Sequence, residues 1–365
     1  MSPSLLDILL NDDAIQSLLQ QSEDLYWSSQ IDPTRKYSRD EFVTVCRLGY
    51  LLSSEALLSN DDDFKYANKA YNLLKTYPIK EKDAEDVFDQ IAGYNLEDKQ
   101  IMYFFYMASL ALKMDKTISA RLLLKEYVPS MQFNESNWGK FTLYSILRSL
   151  LLLVRKHNGF DDIRQAIKII ETLRKEQNKF EDNYISKFDI REQQAEALSL
   201  VGIYHASKAV TETAEYLISG YTMQQRRITS TIRQHFDIAL ELQDKDSRLR
   251  DILAIVRSDL QIMVKNSIWT NTGFQDKVKE LCKRKAESGI LELLPSQQKA
   301  LDESLLNIAA NAIVLQMPTS AGKTLMAEFN ILVTRSLRLD SKIIYVVPSR
   351  ALMNQVFFDL RDDLH

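Results

Sequence analysis

No proline occurs between Pro129 and Pro295, and glycines are sparse along the same stretch. Proline removes a backbone donor and clashes with the preceding helical turn, so a run this long without one leaves helices free to propagate. The apolar spacing agrees with this. Ile163, Ala166, Ile167, Ile170 and Leu173 recur at three- and four-residue intervals, which places them on one helical face. Strand-type alternation is not evident before residue 310. Residues 1–288 are therefore expected to be all-α.

A weak internal repeat runs through this region. Ala70–Tyr77 aligns with Ala120–Tyr127 fifty positions on, and more loosely with Ala166–Leu173. Each copy reads as the second helix of a hairpin, with a first helix upstream over 41–58, 99–114 and 141–156. Pro78 and Pro129 lie just past the first two copies, where a helix should stop. A small alanine at the same place in each copy allows close helix approach. Stacked hairpins of this kind build a solenoid resembling tetratricopeptide arrays, with a longer period. Such a surface over residues 40–260 would take a protein partner; an irregular helical bundle is the alternative. Trp27, Trp138 and Trp269 read as packing residues, and Asp61-Asp62-Asp63 as the first turn of a helix.

Composition narrows the class. With 365 residues, 45% hydrophobic and 26% charged, the chain is long enough for two or more globular domains. Cys46 and Cys282 are far apart and suggest no disulfide framework, which fits a reducing, cytoplasmic setting. His157, His205, His235 and His365 show no metal-ligand spacing, so no structural zinc is expected. Met1 to Leu10 lacks the pattern of a signal peptide. The longest apolar run, Leu150–Val154, is too short for a bilayer, so no membrane partner is expected. A net charge of −4 excludes a uniformly basic nucleic-acid platform but leaves room for one basic groove. Lys283-Arg284-Lys285 and Arg226-Arg227 could line one, although each alone reads first as a solvated face.

The chemistry concentrates near the C-terminal end. Ala312-Ile313-Val314-Leu315, an apolar run, precedes Met317-Pro318-Thr319-Ser320-Ala321-Gly322-Lys323-Thr324, and a helical pattern from Leu325 to Leu332 follows it. This is the strand–loop–helix context of a phosphate-binding loop. The turn aims unpaired backbone N–H groups and the positive end of a helix at one spot. Gly322 allows close backbone approach. Lys323 would set an ammonium beside the β- and γ-phosphates, and Thr324 would offer its hydroxyl to Mg²⁺. The general pattern begins with Gly, and Met317 stands there instead, which sets the chain apart from P-loop kinases and small GTPases.

Three motifs then stand in order: Leu294-Pro295-Ser296-Gln297-Gln298-Lys299-Ala300, the loop, and Ile343–Val347 running into Pro348-Ser349-Arg350-Ala351-Leu352. This order closely resembles the first motor domain of superfamily-two helicases, in the branch of archaeal repair helicases and exosome-associated RNA helicases. The resemblance covers roughly residues 290–365. It implies that residues 289–365 start an α/β RecA-like P-loop domain, incomplete here, with parallel strands at about 312–317 and 342–347, the second of which reads as buried. It also implies ATP and Mg²⁺ as cofactors and DNA or RNA as partner. Gln297 matches the position that reads the adenine edge, with Gln298 its neighbouring candidate. Thr319, Ser320, Ala321, Gly322, Lys323 and Thr324 match the nucleotide-binding loop, Thr324 also at the metal. Pro348, Arg350 and Ala351 match the motif that touches the phosphates of one nucleic-acid strand, which positions the strand without reading its sequence. Glu328 reads as support on the helix surface.

A motor of this family also needs an Asp-Glu pair on a later strand and an arginine finger from a second motor domain. Neither follows Pro348–Leu352 before His365. The resemblance thus implies the N-terminal part of a longer ATP-dependent helicase or translocase, inactive as an ATPase by itself. The rival reading is a helical-repeat adaptor carrying a vestigial motor.

Overall fold

The computed structural model describes residues 5–32, 39–59, 64–75, 96–126, 138–157, 159–220, 228–243, 247–272, 276–307, 309–310, 312–318 and 321–364. Asp61-Asp62-Asp63, Pro78, Tyr127, Pro129, Arg226-Arg227, Thr319, Ser320 and His365 lie outside them. Within the described residues the chain is mostly α, in line with the missing prolines and the helical spacing.

Helices α1 (Leu5–Leu10) and α2 (Asp13–Ile31) lead into three helical pairs. These are α3 (Arg39–Leu58) with α4 (Lys65–Lys75), α5 (Leu96–Lys113) with α6 (Thr117–Leu123), and α7 (Trp138–Arg155) with α8 (Asp161–Ile185). They coincide with the hairpins read from the repeat, and Ala70, Ala120 and Ala166 are all buried. Approach is tight where the sequence is small. A Cβ on Gly49 of α3 would lie 2.9 Å from the Leu74 side chain of α4. The body continues through α9 (Ile190–Ser219), α10 (Ile228–Glu241), α11 (Ser247–Asn266), α12 (Ile268–Thr272) and α13 (Asp276–Glu287).

In a stacked-hairpin array each unit touches only its neighbours. Here α11 packs on α3, α5 and α7 as well as on α9 and α10. The described helices therefore close into a bundle around one main core instead of opening as a solenoid. The Leu150–Val154 run of α7 lies inside that core. A smaller cluster gathers Trp138, Phe141, Leu173, Phe180, Tyr184 and Leu200, and the Trp138 indole donates to the Tyr204 hydroxyl at 2.7 Å. Trp138 and Trp269 are packing residues as expected; Trp27 departs from that reading and is 66% exposed.

Beyond α13 come α14 (Pro295–Asp302), α15 (Lys323–Leu337) and α16 (Arg350–Leu364), with α15 and α16 packed on α13 and on each other. The strands expected at 312–317 and 342–347 are not formed. Among the described residues the one β-type pairing is an isolated antiparallel bridge, Ser267 with Glu292. Their apolar residues are largely exposed, Val314, Ile344 and Val346 at 92%, 85% and 84%, although Met317 at the end of the first segment is buried. The reason is geometric. A helix satisfies its own backbone groups, whereas a strand borrows partners from a neighbour, and neither segment has one here. No helix among the described residues is long and apolar enough to cross a membrane.

Candidate nucleotide site

Local sequence sets the site from two sides. On one side Leu294, with extended backbone, caps α14, and Pro295 occupies the first helical position, where its missing N–H costs nothing. Gln297, three residues into the cap, reaches back so that its Oε1 accepts from the Leu294 N–H at 2.8 Å. This is the reciprocal half of a capping box. The other end of the same amide, Nε2, donates to the Gly322 carbonyl at 3.3 Å. Gln297 is 4% exposed, so it joins the start of α14 to the loop. Gln298 does not: its Nε2 donates to the Leu293 carbonyl at 2.9 Å and to Asn266 Oδ1 at 3.2 Å. Of the two glutamines, Gln297 is the one at the loop.

On the other side Gly322 caps α15 in the left-handed region, with φ 71° and ψ 40°. A side chain is disfavoured there twice over, because a Cβ would also fall 2.3 Å from Gln297 Nε2. The Ala321 N–H donates to the Pro318 carbonyl at 3.3 Å and tightens the turn. Lys323 opens α15, is exposed, and its Nζ donates across the loop to the Pro318 carbonyl at 3.2 Å. It also lines a cleft of about 460 Å³ together with Leu315, Met326, Asn330 and Tyr345. Thr324 follows it, half-buried. The Met317 side chain, at the position where the general pattern has Gly, is buried in the core.

The structure thus gathers Gln297, Ala321, Gly322, Lys323 and Thr324 around one helix N-terminus; Thr319 and Ser320 fall outside the described residues. Pro348, Arg350 and Ala351 form an exposed turn at the head of α16, where Ser349 Oγ accepts from the Leu352 N–H at 3.3 Å.

Two features escaped the sequence reading. Glu328 is not on the surface: it is 1% exposed and pairs with Lys285 of α13 at 2.9 Å. Lys285 is accordingly not part of a solvated basic face. The second feature is Glu292, two residues before the cap. Its Oε2 accepts from Arg121 Nη2 at 2.7 Å, and its Oε1 accepts from Lys156 Nζ. Burial alone would raise the Glu292 pKa, but the Lys156 and Arg121 charges and their hydrogen bonds outweigh it and hold the carboxyl below its usual range. Burial pushes Lys156 below the usual lysine range, against the pull of Glu292, and the Arg121 charge adds to that lowering. One carboxylate serving two cations explains both directions. No sequence periodicity could have shown this, since Arg121 and Glu292 are 171 positions apart.

Comparison with known proteins bears on the same residues. Residues 294–365 match the DEAD/DEAH box helicase family model. That segment belongs to the superfamily-two helicases. The chain is 39% identical over 87 residues to the ATP-dependent DNA helicase Hel308 of Pyrococcus horikoshii, covering 24% of this chain and 11% of the relative. It is 36% identical over 87 residues to Hel308 of Pyrococcus abyssi, with the same shares covered. It is also 42% identical over 71 residues to the Hachiman protein HamB of Bacillus cereus, covering 20% of this chain and 6% of that protein. The chain spans no more than 11% of the length of these curated relatives. No solved structure matches it.

Proposed function

We propose that residues 289–365 open a RecA-like α/β motor domain that binds Mg²⁺ and ATP, as part of an ATP-dependent helicase or translocase. The observation that supports this most is the left-handed Gly322 at the head of the 15-residue α15, with Lys323 Nζ folded over the loop. Free N–H groups of a helix start, the helix dipole and one ammonium form a receptor for a polyphosphate. In this reading Lys323 neutralises the β- and γ-phosphates and Thr324 supplies a hydroxyl to Mg²⁺. Gln297 has one N–H and one lone pair left beyond its two hydrogen bonds, enough to meet an adenine edge. Pro348, Arg350 and Ala351 hold the phosphates of one strand. That strand is DNA, by analogy with the Hel308 relatives, whose name says that they act on DNA.

The test is titration of a fluorescent ATP analogue with Mg²⁺ against the parent chain and Lys323→Ala. Losing one charge-assisted contact to phosphate should weaken binding by roughly tenfold or more. Equal binding by the two chains would remove the site assignment.

A further inference from the structure

The strap 290–294 carries the chain from the helical body to α14, and it is held at both ends. Leu291 and Leu293 are buried on one side of it, 1% and 3% exposed. Its backbone pairs with the turn after α11: the Ile268 N–H donates to the Leu291 carbonyl at 3.1 Å, and the Leu293 N–H donates to the Asn266 carbonyl at 2.9 Å. Between the two leucines Glu292 points the other way, as strand-like alternation requires. Its carboxylate takes Arg121 from α6 and Lys156 from the end of α7, with side-chain exposures of 7% for Glu292 and 1% for Lys156. Lys156 sits at φ 47°, a region that non-glycine residues rarely adopt. A rare backbone geometry persists only where its surroundings over-determine it. Two residues past Glu292 the Leu294 N–H meets Gln297, and Gln297 meets Gly322.

We propose that Glu292 is a positioning residue, clamping the strap to the helical body and, through Leu294 and Gln297, fixing where the phosphate-binding loop stands. It touches no nucleotide. A carboxylate is needed there because a buried ammonium and a half-buried guanidinium converge on it; an amide of the same size satisfies neither charge. Gly322 has no side chain and Lys323 is exposed, so on the α14 side the side-chain bond to the loop comes from Gln297. The helical body thereby acts on the nucleotide site through Glu292, alongside the Lys285–Glu328 pair that joins α13 to α15. This inference rests on the nucleotide-binding reading of the loop.

The experiment compares the parent chain, Glu292→Gln, Gln297→Ala and the double variant. Affinity for the fluorescent ATP analogue is measured together with hydrogen exchange of the backbone amides at 321–325. Glu292→Gln should weaken nucleotide binding by about three- to tenfold and speed exchange at 321–325, while amides of α9 and α10 exchange as in the parent. Because Glu292 works through Gln297, the double variant should bind little worse than Gln297→Ala alone. Parent-like affinity and exchange in Glu292→Gln, or losses that multiply in the double variant, overturn the proposal. If Glu292→Gln does not fold, Arg121→Gln, whose side chain is 32% exposed, replaces it with the same expectations. If the parent chain binds no nucleotide, the nucleotide reading fails by itself. The clamp is then decided by exchange at 321–325 alone, faster in the variant supporting it and unchanged overturning it.

Discussion

The helical body and the segments on either side of α15 treat apolar residues in opposite ways. Leu147, Leu150, Leu151, Leu152 and Leu153 of α7 are all 0–1% exposed, whereas Val314, Ile344 and Val346 stand almost fully in solvent. Both regions are rich in large aliphatics, so hydrophobicity does not separate them. Their backbones do. A helix closes its own hydrogen bonds and needs only a neighbouring face for its apolar stripe, which the next helix in sequence provides. A strand has to find its backbone partner and its covering layer elsewhere in the chain. The same apolar content is decisive when contacts are local and indecisive when they are not.

That contrast can be broken most directly by truncation. Leu150→Ala should lower the urea or guanidinium unfolding midpoint of the helical body by an amount equivalent to about 2–5 kcal/mol, since the site is fully packed. Val346→Ala should stay within about 0.5 kcal/mol. Similar shifts for the two would mean that residues 342–347 are packed after all.

A smaller contrast sets two ion pairs against each other. Lys285 and Glu328 join α13 to α15 with side-chain exposures of 13% and 2%, while Lys299 and Glu303 meet at 3.7 Å with 75% and 68% exposure. Lys285→Met removes the cation that faces a buried carboxylate and should cost about 3 kcal/mol; Lys299→Ala removes a screened surface pair and should cost less than about 1 kcal/mol. Thermal unfolding of both variants checks the order. A Lys285→Met chain as stable as its parent would detach α15 from the helical body.

How much of this was legible in the sequence follows the same line. The helix pairs could be read because Ala70, Ala120 and Ala166 mark faces that meet within one hairpin. The closure of the bundle could not, since α11 reaches α3 across some 200 positions and leaves no periodic trace. Around the loop, the turn at Gly322 and the helix that opens at Lys323 were readable because turn geometry is local. The bond from Gln297 to Leu294 lies within one turn and follows a known capping spacing, so it could have been found. The bond from Gln297 to Gly322, the burial of Glu328 and the Glu292 cluster join remote positions, and no local pattern announces them. The strands were legible as patterns but not as structure, because a pattern names no partner.

The smallest effect probes another remote pair. Asp259 of α11 is 2% exposed and accepts from the Ser109 hydroxyl of α5 at 2.6 Å, across 150 positions. Burial pushes its carboxyl up from 3.8 to about 7, with the Ser109 hydrogen bond pulling the other way. The sign follows from proton counts. Between about pH 4 and 7 the folded chain keeps a proton that the unfolded chain has released, so this group lowers stability as pH rises through that window. Above it the cost is fully present. Glu292, held below the usual carboxylate range, loses its contribution only at more acid pH. Lys156, whose burial makes the folded chain bind its proton less tightly, favours the opposite slope, equally in parent and variant. Asp259→Asn should therefore make the unfolding midpoint fall less, or rise more, from pH 5 to pH 8 than in the parent, and should be at least as stable as the parent at pH 8. An unchanged slope would mean that water reaches this carboxylate, and that the helical body is less closed at α5 and α11 than its leucines indicate.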